Sequence, residues 1–111
     1  MTEKPPSFEQ RGITEQEVIQ ALKEKGLRDR EALRLHQQWI EQEWEKLPKD
    51  PLELIRFNQR RARLYRAAGH LNEAYKMLLD AREQLLGEPR QDTRSALYTE
   101  ITGELEELDK A

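Results

Sequence analysis

The chain has no cysteine. Disulfides, thiolate metal sites and cysteine nucleophiles are therefore excluded, and the composition fits a reducing compartment. Aromatic residues are scarce at 6%, and hydrophobic residues, at 36%, do not outnumber charged ones, at 37%. That balance suits slender amphipathic helices burying one stripe each, and does not support a thick sheet-based core. No run approaches the roughly 18 uninterrupted apolar residues of a membrane span. The opening MTEKPPSFEQRG carries charge and two prolines where a secretory signal needs an apolar core. The expectation is a soluble, cytoplasmic protein that does not engage a membrane. A formal charge of -3 is too small to coat nucleic acid, so any such binding must be local.

What is present reads as helix throughout. At 111 residues the default is one compact domain, expected over 13–111 behind a flexible arm, 1–12, from which Phe8 docks on the body. Thr14 and Glu17 match a capping box, followed by the stripe Val18, Ala21 and Leu22, with Gly26 ending the helix. A second helix is expected over about 29–47. Leu33, Ile40, Trp44 and Leu47 fall there at helical spacing, with Leu35 and Trp39 widening the arc. Pro48, Asp50 and Pro51 then stop one helix and start the next, which reaches about Ala68. A fourth helix opens at Leu71 and runs to Leu86, before Gly87 and Pro89. The last begins near Asp92 or Thr93 with Leu97, Tyr98, Ile101, Leu105 and Leu108 on one side, Gly103 and the acidic end favouring fraying. The fold class expected is all-α: five helices in antiparallel hairpins, a central helix-turn-helix and a C-terminal capping helix.

Within about 55–88, Ala62, Tyr65, Gly69, Ala74, Leu78 and Ala81 stand at the spacings by which two antiparallel helices pack closely around a glycine turn. On these residues the segment resembles a tetratricopeptide repeat, in one degenerate copy. Asn58 stands where that family usually has Trp or Leu, Arg61 where Leu is usual, and Pro89 comes about three residues late. A single hairpin cannot bury its own apolar face, so the flanking helices or a second copy of the chain must cover its edges. An ordinary antiparallel helix bundle with coincidental alanine spacing is the plainer reading.

The third helix holds the chemistry of interest. Arg56, Arg60, Arg61, Arg63 and Arg66 occur on it without an intervening acid. Leu54, Phe57, Leu64, Tyr65 and Ala68 share one side, and Arg56, Gln59, Arg60, Arg63 and Arg66 spread over the other. Arg61 projects into the apolar arc, where it must snorkel or meet a carboxylate. The repeat resemblance implies that Arg56, Gln59, Arg63 and Arg66 line a concave groove, where long basic side chains of some family members clamp carboxylates of a partner peptide. Arginine suits this because its planar fork gives two parallel hydrogen bonds. The expected function is thus a non-catalytic interaction module (adaptor, chaperone or regulator) for an acidic peptide or protein segment, with Arg56, Gln59, Arg60, Arg63 and Arg66 as the partner-binding set. The same arginines equally suit internal pairing with Glu41, Glu43, Glu45 or the run Glu100, Glu104, Glu106, Glu107 and Asp109. A nucleic-acid regulator using this face is the alternative, and a self-associating subunit joined through Trp39 or an exposed repeat edge is the third.

Catalysis has little to build on. There is no Gly-rich phosphate loop, HExxH or GxSxG, and no motif calls for a cofactor or metal. His36, between Leu33 and Ile40, reads as a core or boundary histidine; His70, after the turn glycine, as solvent-facing. Of the two tryptophans, Trp44 aligns with Leu33, Ile40 and Leu47 and is the core choice. Trp39 is expected to pack on the N-terminal helix, with an exposed anchor for a partner as its other reading.

Overall fold

In the computed structural model, which describes residues 12–87 and 91–110, the chain is all-α. Five helices and no strand occur among the described residues: α1 Glu15–Lys25, α2 Arg30–Lys46, α3 Pro51–Ala67, α4 Leu71–Leu85 and α5 Gln91–Lys110. They fall into two compact units, Met1–Lys46 and Leu47–Ala111. Most of the arm expected at 1–12, Phe8 included, lies outside the described residues, as does Pro89.

The first unit is a helical pair. Thr14 Oγ1 accepts from the Glu17 N–H and Glu17 Oε1 accepts from the Thr14 N–H, each at 3.1 Å, closing the capping box of α1. Gly26, at φ 92°, ends the helix and donates its N–H to the Leu22 carbonyl. Asp29 starts α2, its Oδ2 accepting from the Ala32 N–H at 2.9 Å. Ahead of α1, the chain is tied to α2 by one side-chain amide. Gln42 Oε1 accepts from the Ile13 N–H at 2.7 Å, and Gln42 Nε2 donates to the Ile13 carbonyl at 2.8 Å. That is the pairing a neighbouring strand would give.

Here the structure corrects the expected core of α2. Trp44 and Leu33 are 41% and 46% exposed, whereas Trp39 is 1% exposed and Ala32 and His36 are buried beside it. The inward arc is therefore Ala32, His36 and Trp39, against Val18 and Leu22 of α1, which are fully buried. It lies roughly 100°, one residue, around the helix from the Leu33–Ile40–Trp44 stripe. His36 stands against the Trp39 ring, centroids 6.3 Å apart.

The second unit holds three helices. Asp50 Oδ1 caps α3 by accepting from the Leu52 N–H at 2.9 Å, with Pro51 in the first turn. The reversal into α4 uses Gly69 at φ 86°: its N–H donates to the Arg66 carbonyl and that of His70 to the Tyr65 carbonyl. This is the double bond of a Schellman ending, which needs a residue at home in the left-handed region. His70 makes no side-chain cap and is half-buried, not solvent-facing.

Small residues set the α3–α4 seam. Ala62, Ala74 and Ala81 are at most 1% exposed. Around them Leu52, Ile55, Leu78 and Leu85 join Leu97, Ile101, Leu105 and Leu108 of α5 in one core, with Tyr65, Tyr75 and Met77 packed at its edge. Two expectations shift here: Leu54 is only half-buried, and Tyr98 is 37% exposed at the rim. α5 continues unbroken through Gly103 to Lys110, because four buried aliphatic residues hold it down along its length.

A Cβ added at exposed, helical Gly103 meets nothing within 4 Å. Gly103→Ala is expected to stabilise the second unit by about 0.5–1 kcal/mol. Ala81→Leu, forcing bulk into the seam, is expected to cost about 1–3 kcal/mol. Equilibrium urea unfolding measures both; an Ala81→Leu chain as stable as wild type would mean that the helices are not held at close approach.

Candidate functional site: the basic face of α3

α3 buries apolar residues on two sides: Leu52, Ile55 and Ala62 in the core shared with α4 and α5, and Phe57 and Leu64 roughly opposite them. Arg56, Arg60 and Arg63 fall on the flank between those two sides, with Gln59 and Arg66 at its edge on the side of Leu52 and Ile55. Arg56 is exposed and Arg60 half-buried. Gln59, Arg63 and Arg66 meet α5. Gln59 Nε2 donates to Glu100 Oε1 at 2.9 Å and to Glu104 Oε2 at 2.8 Å. Arg63 donates to the same two oxygens, from its NH2 nitrogen at 3.0 and 2.9 Å, and Arg63 Nε also reaches Glu104. Arg66 donates to Glu107 Oε1 at 3.1 Å.

The pairs Gln59–Glu100, Arg63–Glu104 and Arg66–Glu107 share one sequence separation, 41. α3 and α5 therefore run parallel, with matching polar rows at i, i+4 and i+7 on both. Gln59, expected in an open groove, is 3% exposed and sits beneath the row. Five acidic residues of the C-terminal run were candidates for internal pairing; Glu100, Glu104 and Glu107 meet α3, while Glu106 and Asp109 are exposed. The signal that singles out the three is the shared spacing, which composition does not carry.

Burial grades these contacts. The Glu104 side chain is 17% exposed, those of Arg63 and Arg66 are 57% and 43% exposed, and that of Glu107 is 64% exposed. Exposed pairs such as Arg66–Glu107 contribute roughly 0–1 kcal/mol. Gln59 counts for more, since a buried amide that loses its acceptors pays full desolvation. The Arg63 guanidinium is held above its already high ordinary pKa chiefly by the hydrogen bond to Glu104. Burial opposes the shift, and the Glu104 charge and Glu100 add to it. A base raised in this way stabilises the fold at every pH below its unfolded value, losing that contribution only as pH climbs through the folded one. For arginine that window lies beyond ordinary buffers, so Arg63 stays charged wherever the fold persists.

Arg61 stands apart from the row. It is half-buried, and its Nε is buried without a hydrogen-bond partner. It snorkels, its stem taking the place of an aliphatic side chain. On the outer side of α4 and α5 lie two open depressions of about 350 and 310 Å³. The first is lined by Leu86, Ser95, Tyr98 and Thr99, and the second by Tyr98, Thr99, Thr102, Gly103 and Glu106. Arg82 stands 5.7 Å over the Tyr98 ring. No group of three His, Asp or Glu residues that could hold a metal ion occurs among the described residues, and none of their helices is long and apolar enough to cross a membrane.

Replacing Gln59 by Ala is expected to lower stability by about 1–3 kcal/mol. Arg66→Ala is expected to cost under about 1 kcal/mol, a difference that vanishes near 1 M salt. Chemical denaturation at two ionic strengths checks both, and the opposite ranking would show that exposed charge, not the buried amide, anchors α5.

No protein-family model, curated protein or solved structure matches the chain.

Proposed function

We propose that the chain is a non-catalytic, cytoplasmic protein-interaction module, an adaptor, chaperone or regulator, built on a tetratricopeptide-like α3–α4 hairpin with α5 as its cap. Its ligand is an acidic segment received along the arginine face of α3. One observation carries this reading: α3 already grips a row of carboxylates presented by a helix, with Gln59, Arg63 and Arg66 matched to Glu100, Glu104 and Glu107. The cap is thus a worked example of what the face recognises.

The same observation narrows where a partner enters. Two arginines meet three glutamates along the α5 contact, so that stretch carries excess negative charge and does not attract a further acid. Arg56, which is exposed, lies in the first half of α3, before the paired row that begins at Gln59. A partner carboxylate is drawn there first and then competes for Arg63 and Arg66, whose exposed pairs are weak enough to exchange. The excess acid also disfavours phosphate backbones along the row.

The test leaves the arginines that hold α5 in place and changes the exposed one before them. Affinity capture from the native cell with Arg56→Glu is expected to lose partners that wild type retains, at unchanged helicity. An identical captured set would refute the proposal. Retention of single-stranded DNA by wild type, independent of sequence and lost steeply with salt, would instead favour the nucleic-acid reading.

A further inference from the structure

The stripe that α2 turns outward has the form of a helix-pairing seam. Leu33, Gln37, Ile40 and Trp44 follow one another at spacings of four, three and four, the alternation by which coiled-coil core positions recur. Leu33 and Trp44 are 46% and 41% exposed, Gln37 is exposed and Ile40 half-buried. The charges beside this seam are segregated. Arg30 and Arg34 stand in its first half, Glu41 and Glu45 in its second, all four exposed and on one flank.

This order opposes the field of the helix. A helix favours acids near its N-terminus and bases near its C-terminus, yet here the bases come first. On the far face the favoured order is kept, with Glu31 in the first turn and Lys46 in the last. Those two also have partners within the unit: Glu31 pairs with Lys25 and Lys46 with Glu43. Arg30, Arg34 and Glu45 have no ion pair among the described residues, and Glu41 accepts only from Gln37. The flank is thus disfavoured in an isolated helix and becomes complementary when an identical helix runs the other way.

We propose that this face binds a second copy of the chain through an antiparallel, two-fold α2–α2′ contact. A single register satisfies every position. Leu33 meets Trp44 of the other copy and Gln37 meets Ile40, each pair occurring twice by symmetry. The same register sets Arg34 beside Glu41 and brings Arg30 within side-chain reach of Glu45, while each helix dipole runs against its partner's. The contact is short, about 25 Å for a 17-residue helix, so the dimer is weak and concentration-dependent. It rests on the first unit alone and stands independently of any ligand of α3.

Sedimentation equilibrium of the full chain, from roughly 10 µM to 1 mM, is expected to show the mass rising from 13.2 kDa toward twice that value. Trp44→Ala is expected to weaken association by about ten-fold or more, and Arg34→Glu by about three- to ten-fold. Arg34→Glu/Glu41→Arg, which rebuilds the pair with its signs exchanged, is expected to recover to within about two-fold of wild type. Far-UV circular dichroism and the emission of buried Trp39 check that each variant is folded. A mass of 13.2 kDa at every concentration would leave the stripe to another protein's helix or to the chain's own opening residues, and would overturn the proposal. So would a double swap no better than the single one, or association indifferent to Trp44→Ala.

Discussion

The second unit depends on how closely α3 and α4 approach, and alanine sets that distance. With Ala62, Ala74 and Ala81 at the crossing, no side chain longer than a methyl group keeps the helices apart, which places such a pair at the near end of the usual 8–10 Å range. Close approach brings Asn58 within 3.3 Å of Gln84 across the same seam. It also sets Leu52, Ile55, Leu78 and Leu85 side by side as a floor for α5. α5 is fixed only because that floor exists. Its four aliphatic residues contribute the binding energy, since burying each large side chain is worth about 1.5–3 kcal/mol, more than any exposed ion pair beside them.

Much of this was legible in the residues because it depends on local chemistry. The capping box at Thr14 and Glu17, the Asp50–Pro51 start and the Gly69 turn are decided within a few positions of the chain, and so are the helix limits they set. The α5 stripe of Leu97, Ile101, Leu105 and Leu108 was equally plain, being the helix's only aliphatic row. α2 was not legible in this way. It carries two apolar arcs one residue apart, and the more hydrophobic of them, with Leu33, Ile40 and Trp44, is the one that faces out. The choice belongs to α1: Val18 and Leu22 form a narrow ridge, met by the small Ala32 and the flat rings of His36 and Trp39. Periodicity measures how apolar an arc is, and shape decides which arc fits.

The basic face of α3 was half legible for a related reason. That Arg56, Arg60, Arg63 and Arg66 share an arc follows from helical geometry alone. That α5 lies along part of this arc follows from the path of the chain through α4, which no local pattern encodes. Gln59 shows the cost of reading one helix at a time. Among arginines it looks like one more polar surface residue, yet it is the member of the arc that lies deepest, with a hydrogen available for each of two glutamates.

α3 and α5 are not joined by a turn, so nothing in the connectivity specifies their register; the polar rows do. In the observed alignment Gln59, Arg63 and Arg66 stand opposite Glu100, Glu104 and Glu107. Moving α5 by four residues in one direction sets the three against Ala96, Glu100 and Gly103, and in the other against Glu104, Leu108 and Ala111. Steps of three give Leu97, Ile101 and Glu104, or Gly103, Glu107 and Lys110. Each alternative keeps one facing pair of three, and none gives the buried Gln59 amide the two glutamates it has in the observed alignment. The apolar stripes alone tolerate such slips, because leucine and isoleucine recur every three or four residues and exchange at little cost. Hydrophobic burial therefore makes α5 bind, and the row of carboxylates on an amide and two guanidinium groups decides where.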